Sequence, residues 1–155
     1  MTKVLLIEDD EHKVRDIAQL ITENFPGLVI EAATNVREGF IRAKDTNAEV
    51  LILDMALPTF GKRTSSIGGL NQPQGGLEII RLLHRIGKPI KVIILTQYPD
   101  IELNGEFYPL EKARGLLVGH YDCDIRGAIL YKYQDEEWKK PFLKILSAID
   151  ANLDD

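Results

Sequence analysis

The 155-residue chain has a single cysteine, Cys123, so it cannot form an internal disulfide and nothing ties it to an oxidising compartment. It also lacks an excess of basic charge. Its 19 Lys and Arg are outnumbered by 24 Asp and Glu, giving a net charge of −5, whereas a nucleic-acid footprint needs a concentrated basic face. No apolar run approaches the roughly 20 residues that span a bilayer. The start, Met1-Thr2-Lys3, enters a strand-like run that ends in acids and does not resemble a signal peptide. Internal repeats are missing, and Gly61–Gly76 is only mildly biased in composition. With 45% hydrophobic and 28% charged residues, wholesale disorder is excluded. The length suits one domain over 1–155, burying roughly 68–70% of its unfolded surface, and a cytoplasmic location is expected.

What is present is a regular rhythm. Val4-Leu5-Leu6-Ile7 is a short unbroken apolar run closed by Glu8-Asp9-Asp10, as in a strand buried on both faces. Val14, Ile17, Ala18, Ile21 and Phe25 then recur at helical spacing, with Asp10 or Glu11 as cap and Pro26-Gly27 as stop. Leu28-Val29-Ile30 reads as a second strand, and Asn35 with Glu38 as the capping box of a helix burying Val36, Phe40, Ile41 and Ala43. Glu49–Asp54 is a third strand. Leu77, Ile80, Leu83 and Ile86 mark a helix, Ile90–Thr96 a fourth strand, Ala128–Lys132 a fifth, and Phe142, Ile145, Leu146 and Ile149 a last helix. Strands alternating with helices predict a doubly wound α/β fold on a five-stranded parallel sheet.

Two stretches break the rhythm. Thr59–Gly76 holds five glycines, the cations Lys62 and Arg63, and no acid; Gln97–Asp124 is equally long for a connection and includes a plausible helix near Leu110–Leu117. Segments of this length inside a compact domain usually carry function.

In an open parallel sheet, ligands bind beyond the carboxyl ends of the strands. Glu8, Asp9 and Asp10 follow the first strand, Asp54 ends the third, Thr96 the fourth and Lys132 the fifth. Carboxylates with hydroxyl and ammonium neighbours suit magnesium-assisted phosphoryl transfer: Mg²⁺ takes hard oxygen ligands, and an aspartate beside it can act as nucleophile. Taken alone, Glu8-Asp9-Asp10 could simply be acids favoured at a helix N-terminus.

In order along the chain, these segments resemble the receiver domain of two-component response regulators. The resemblance rests on Val4–Asp10, Leu51-Ile52-Leu53-Asp54-Met55-Ala56-Leu57-Pro58, Ile93–Thr96 and Gly127–Lys132, and it covers nearly the whole chain. It implies a flavodoxin-like sheet of order 2-1-3-4-5 with helices on both faces. It implies Asp54 as phosphoacceptor and a Mg²⁺ held directly by Asp9, through water by Glu8, and by Asp54 and the Ala56 carbonyl. Thr96 would be the hydroxyl that turns toward the phosphoryl group and Lys132 its charge partner. The donor would be a sensor histidine kinase or phosphotransfer protein and the recipient an unknown protein partner, with no contact to nucleic acid or membrane. Catalysis would go no further than Mg-dependent self-phosphorylation and self-dephosphorylation. The last helix is expected to end about where the chain does, with no room for a DNA-binding output domain, so either a stand-alone receiver or a fragment of a longer regulator is expected.

The chain departs from that family in four places, one being the 36 residues from Thr96 to Lys132, beyond the family's usual spacing. The glycine that usually lies eight residues after the phosphoacceptor is best matched by Gly76, an insertion of about fourteen residues. Tyr133 replaces the proline after the lysine. The switch aromatic's position holds Ile129, and the nearest aromatic, Tyr131, is expected on the opposite face of the strand. The readout is therefore expected in the enlarged loops, with Lys62 or Arg63 meeting the phosphoryl group. The alternative is a receiver-like interaction module acting without phosphorylation. A phosphatase is disfavoured, because Ala56 stands where such enzymes carry a second aspartate. His120, Asp122, Cys123 and Asp124 match no metal-ligand spacing and read as loop polarity, while Trp138 and Phe142 read as packing.

Overall fold

Residues that are apolar without alternation must be covered on both sides, and the folded chain obeys this rule. A computed structural model describes residues 2–45, 47–58, 71–72 and 75–153. Along the chain come β1 (Lys3–Ile7), α1 (Glu11–Asn24), β2 (Val29–Ala33), α2 (Val36–Asp45) and β3 (Val50–Leu53). After these follow β4 (Leu57–Pro58), β5 (Asn71–Gln72), α3 (Gly75–Ile86), β6 (Lys91–Thr96), β7 (Asp100–Leu103) and β8 (Glu106–Pro109). A 3₁₀ turn (Leu110–Lys112), α4 (Ala113–His120), β9 (Asp124–Leu130) and α5 (Lys139–Leu153) complete the fold. The main sheet is parallel, in the order β2-β1-β3-β6-β9, which is the expected 2-1-3-4-5 arrangement of the long strands.

Two cores sandwich the sheet. On one side Leu5, Ile7, Leu51, Leu53, Val92 and Ile94 pack under α2, α3 and α4. On the other, Val4, Leu6, Val50, Ile52, Ile93 and Leu95 pack under α1 and α5, where Trp138 and Phe142 are buried. The caps follow the sequence. Asp10 accepts from the N–H groups of His12 and Lys13, and Asn35 Oδ1 accepts from Glu38 N–H at 2.7 Å. Helix α5 begins at Lys139, so Pro141 lies in its first turn, where a missing N–H breaks no helical bond.

The second and fifth strands differ from expectation. Strand β2 runs to Ala33 because its outer residues form an edge: Glu31, on the exposed side, pairs with Lys3 and Arg42. Strand β9 starts at Asp124 and ends at Leu130, two residues before Lys132. Its pairing with β6 slips by one residue at Val92/Ile93, passing over Arg126. Such a bulge flips the facing of everything after it. Ile125 accordingly packs in the α3–α4 core, whereas Ile129 and Tyr131 pack together in the α1–α5 core. Tyr131, two residues on, shares a face with Ile129 by plain strand alternation and does not take the expected opposite face; the bulge decides only which core both enter.

The two insertions are built differently. Of the first, β5 pairs antiparallel with β4 at its base, while 59–70, with Lys62 and Arg63, lie outside the described residues. The second opens with a β7–β8 hairpin turning at Asn104-Gly105, both at positive φ (53° and 85°). That turn chemistry is a strong short-range hairpin signal, and the expected helix near Leu110–Leu117 follows it as the 3₁₀ turn and α4. Its inner residues Ile101 and Leu103 join the α3–α4 core with Leu110, Ala113 and Leu117. Among the described residues, no helix is long and apolar enough to cross a membrane.

Candidate functional site

The alternation that sends Leu6 and Ile52 toward α1 continues one step past each strand, so Glu8 and Asp54 turn toward the first turn of α1. Both are buried, at 1% and 4% exposure. Glu8 Oε2 accepts from the backbone N–H groups of Asp9 and Asp10 at 2.9 and 3.1 Å, which fixes its carboxylate plane. Asp54 Oδ1 accepts from Ala56 N–H at 3.4 Å, and Asp54 N–H donates to Ile7 O at 3.2 Å. Asp9 is half-buried beside them. Carboxylate oxygens of Glu8, Asp9 and Asp54 all lie within 4.8 Å of one another, the only such grouping of metal-capable side chains among the described residues.

Gly76 positions the floor. A β-carbon there would sit 2.5 Å from Asp54 O and 2.7 Å from Met55 Cα, too close for any side chain, and Gly76 N–H donates to Met55 O. Helix α3 can therefore start directly against the backbone that carries Asp54. Gly76, matched in sequence to the family's glycine, thus reaches the Asp54 backbone after the insertion.

Of the residues expected at the site, Glu8, Asp9 and Asp54 come together and Ala56 is buried two residues from Asp54. Thr96 ends β6, fully buried, its Oγ1 accepting from Tyr98 N–H at 3.4 Å. Lys132 does not join them. It is exposed, it makes no ion pair with the acids among the described residues, and it lines a surface groove with Asp135, Glu137 and Trp138. The bulge in β9 explains the correction, since Tyr131 takes the inward position and the next residue must face elsewhere.

The cation present instead is Lys13, which the sequence reading did not single out. It is completely buried on the first turn of α1. Its Nζ donates to Leu95 O at 2.7 Å, forms an ion pair with Glu8 Oε1, and lies 3.6 Å from Asp54 Oδ2. The ammonium also sits over the Tyr131 ring, 5.2 Å from its centroid. A signal existed: four residues back from Ile17 on the buried stripe of α1 is Lys13, a charge at a core position next to acids. Lysine is almost never fully buried unless paired.

The electrostatics are strained toward a further cation. Among the described residues three carboxylates meet one ammonium, and burial, followed by the Asp54 charge, pushes the Glu8 carboxyl up to about 9 despite Lys13 beside it. Glu8 Oε1 is buried, and its partner among the described residues is the Lys13 ammonium alone. An all-oxygen donor set of this kind fits Mg²⁺, which is usually held by one or two carboxylates and water. The His120–Asp124 stretch offers no comparable site. His120 is exposed and bonds Leu116 O, Asp124 pairs with Arg126, and burial followed by the Asp122 and Asp124 charges pushes the Cys123 thiol up to about 11.

No protein-family model matches the chain. In sequence it is 29% identical over 150 residues to a Detocs response regulatory protein, DtcB, of Vibrio alginolyticus, with 94% of this chain and 99% of the relative covered. In structure it is similar to the response regulator TrrA of Thermotoga maritima, solved in complex with Mg²⁺ and BeF: TM-score 0.55, 21% identity, 94% of this chain and 99% of that one. A CheY-like receiver domain protein of Methanospirillum hungatei superposes with TM-score 0.60 at 18% identity, covering 97% and 95%.

Proposed function

We propose that this chain, a divergent receiver domain of the response-regulator kind, accepts a phosphoryl group on Asp54 and passes the resulting change to a protein partner. The gathering of Asp54, Glu8 and Asp9 within 4.8 Å at the carboxyl edge of the sheet carries this reading. The donor is a histidine kinase or phosphotransfer protein. As its P–N bond breaks, a new P–O bond forms to an Asp54 carboxylate oxygen, and the donor imidazole leaves neutral after taking a proton. Glu8, Asp9, Asp54 and the Ala56 carbonyl would hold a Mg²⁺, whose chemistry there is neutralising charge on the carboxylates and phosphoryl oxygens. The protein's own groups do the rest. The Ala56 N–H orients the Asp54 carboxylate, the Thr96 hydroxyl at the end of β6 supplies a donor to the product, and the buried setting strengthens each of these interactions.

Acetyl phosphate with Mg²⁺ should raise the intact mass by one phosphoryl group, with no rise in Asp54→Asn or in the presence of EDTA. A wild type that stays unmodified at high donor and metal would move the protein to a second reading, an interaction module that works without phosphorylation. One observation favours that alternative: the Lys13 ammonium already neutralises part of the Glu8–Asp54 charge from within the chain.

A further inference from the structure

We propose that Lys13, on α1, is the cation that holds the phosphoryl oxygens at Asp54, and that Lys132 has no part in the site. The inference rests on the phosphoacceptor reading of Asp54. Strand β9 pairs with β6 as far as Leu130 opposite Thr96, and Tyr131 N–H extends the ladder by donating to Thr96 O. With the bulge at Arg126 upstream, the residue turned inward at that point is Tyr131. Its hydroxyl donates to Asp16 Oδ2 at 2.7 Å and its ring packs against Trp138, 5.0 Å between centroids. A bulky side chain anchored at both ends closes the route by which a lysine from this strand end would reach Asp54.

Lys13 reaches it from the other direction. An ammonium carries three donors. Leu95 O takes one and Glu8 a second, while Asp54 Oδ2, at 3.6 Å, lies beyond hydrogen-bond reach. A phosphoryl group on Asp54 brings three strong acceptor oxygens to that carboxylate and gives the third donor an acceptor. The burial of Lys13 is informative in itself, because a buried lysine costs much desolvation and is kept where its charge has work to do. Its surroundings also connect it to the strand end. The ammonium lies over Tyr131, Tyr131 bonds Asp16, and His12, next to Lys13, stacks edge-on against Tyr133 at 4.5 Å. A shift of Lys13 toward a phosphoryl group would thus be felt by the Tyr131–Trp138 pair.

That pair supplies the readout, since Trp138 is the chain's one tryptophan. The experiment compares wild type, Lys13→Met, Lys13→Gln and Lys132→Ala for Mg-dependent phosphorylation by acetyl phosphate and for the change in Trp138 fluorescence on adding beryllium fluoride. Lys132→Ala should match wild type within about twofold in both. The Lys13 variants should keep their circular dichroism, lose the fluorescence response, and be phosphorylated on the order of 10²-fold more slowly, as when a group facing developing charge is removed. A Lys132→Ala variant that loses the response overturns the inference whatever the Lys13 variants do. So does a folded Lys13→Gln that responds like wild type. If wild type itself takes no phosphoryl group and no beryllium fluoride, the phosphoacceptor reading fails and the inference falls with it. That outcome is told apart by the wild-type arm alone.

Discussion

The first 58 residues and the remainder of the chain are built to different tolerances. From β1 to β3 the connections are short, and three acids and one lysine converge within a few ångströms: Glu8, Asp9 and Lys13 beside β1, and Asp54 after β3. Beyond Pro58 the sheet gains only β6 and β9, yet it acquires two long insertions and a hairpin whose Phe107 is 69% exposed. The difference separates the strand ends that carry the acids from the long connections beyond them, although Gly76, Leu95 and Tyr131 of the later half still pack against the cluster. The acids sit at the ends of sheet strands and Lys13 on the first turn of α1, whereas the long connections of the later half lie outside the parallel sheet.

The largest effect that would break this comparison concerns the metal. Asp9→Asn should weaken Mg²⁺ binding by at least about a hundredfold, because it removes one of three carboxylates and leaves Glu8 and Asp54 tied to Lys13. Titration calorimetry or Trp138 fluorescence would measure it. Equal affinity in wild type and Asp9→Asn would mean that the clustered acids are not a metal site.

Next in size is a core change in the later half. Leu103 is 4% exposed in the hairpin and joins the α3–α4 core, so Leu103→Ala should cost about 2–4 kcal/mol by urea unfolding. Its phosphorylation rate, measured where the variant remains folded, should stay within about twofold. A proportionate loss of phosphorylation would show that the two halves are not separable.

Much of this was legible in advance. Unbroken apolar runs at Val4–Ile7 and Leu51–Leu53 announce buried parallel strands, and the acids that follow them mark the carboxyl edge. Part of what was not legible is tertiary pairing that no local pattern carries. The slip at Arg126 depends on β6, not on the sequence of β9, and it alone decides that Tyr131 and not Lys132 turns inward. Lys13 was visible only to an extension of the Ile17–Ile21 stripe onto a charged residue. The Asn104-Gly105 turn was a local signal and readable, beside a helix near Leu110–Leu117 that the structure bears out.

A smaller effect sharpens the first half. In metal-free protein the folded chain keeps on Glu8 a proton that the unfolded chain releases above the ordinary 4.5. A carboxyl raised in the folded state binds more protons than its unfolded counterpart between those values. Stability should therefore decline as pH rises from about 4.5 toward about 9, and Glu8→Gln should flatten the decline. Lys13 moderates it by pairing with the carboxylate as it ionises. Denaturant midpoints at several pH values, in EDTA, would check the sign. A wild type whose stability rises across that interval, relative to Glu8→Gln, would show that Glu8 is charged throughout.

The smallest expected effect is at the hairpin surface. Phe107 and Tyr98 are exposed aromatics flanking a recess of about 330 Å³ that also meets Met55 and Ala56, the residues directly after Asp54. Proximity alone would suggest a hand in the chemistry. The packing argues otherwise: Phe107 is absent from both buried cores, and the groups that orient Asp54 are Ala56 N–H and Lys13, on other elements. Phe107→Ser should change stability by no more than about 0.5 kcal/mol, as for most surface positions. Phosphorylation by acetyl phosphate should also be unchanged, because a small donor needs only the acids, the metal and the cation. If Phe107→Ser slowed that reaction severalfold, the hairpin would be part of the phosphoacceptor site. The separation of the acid cluster from the hairpin would then have to be redrawn around the recess.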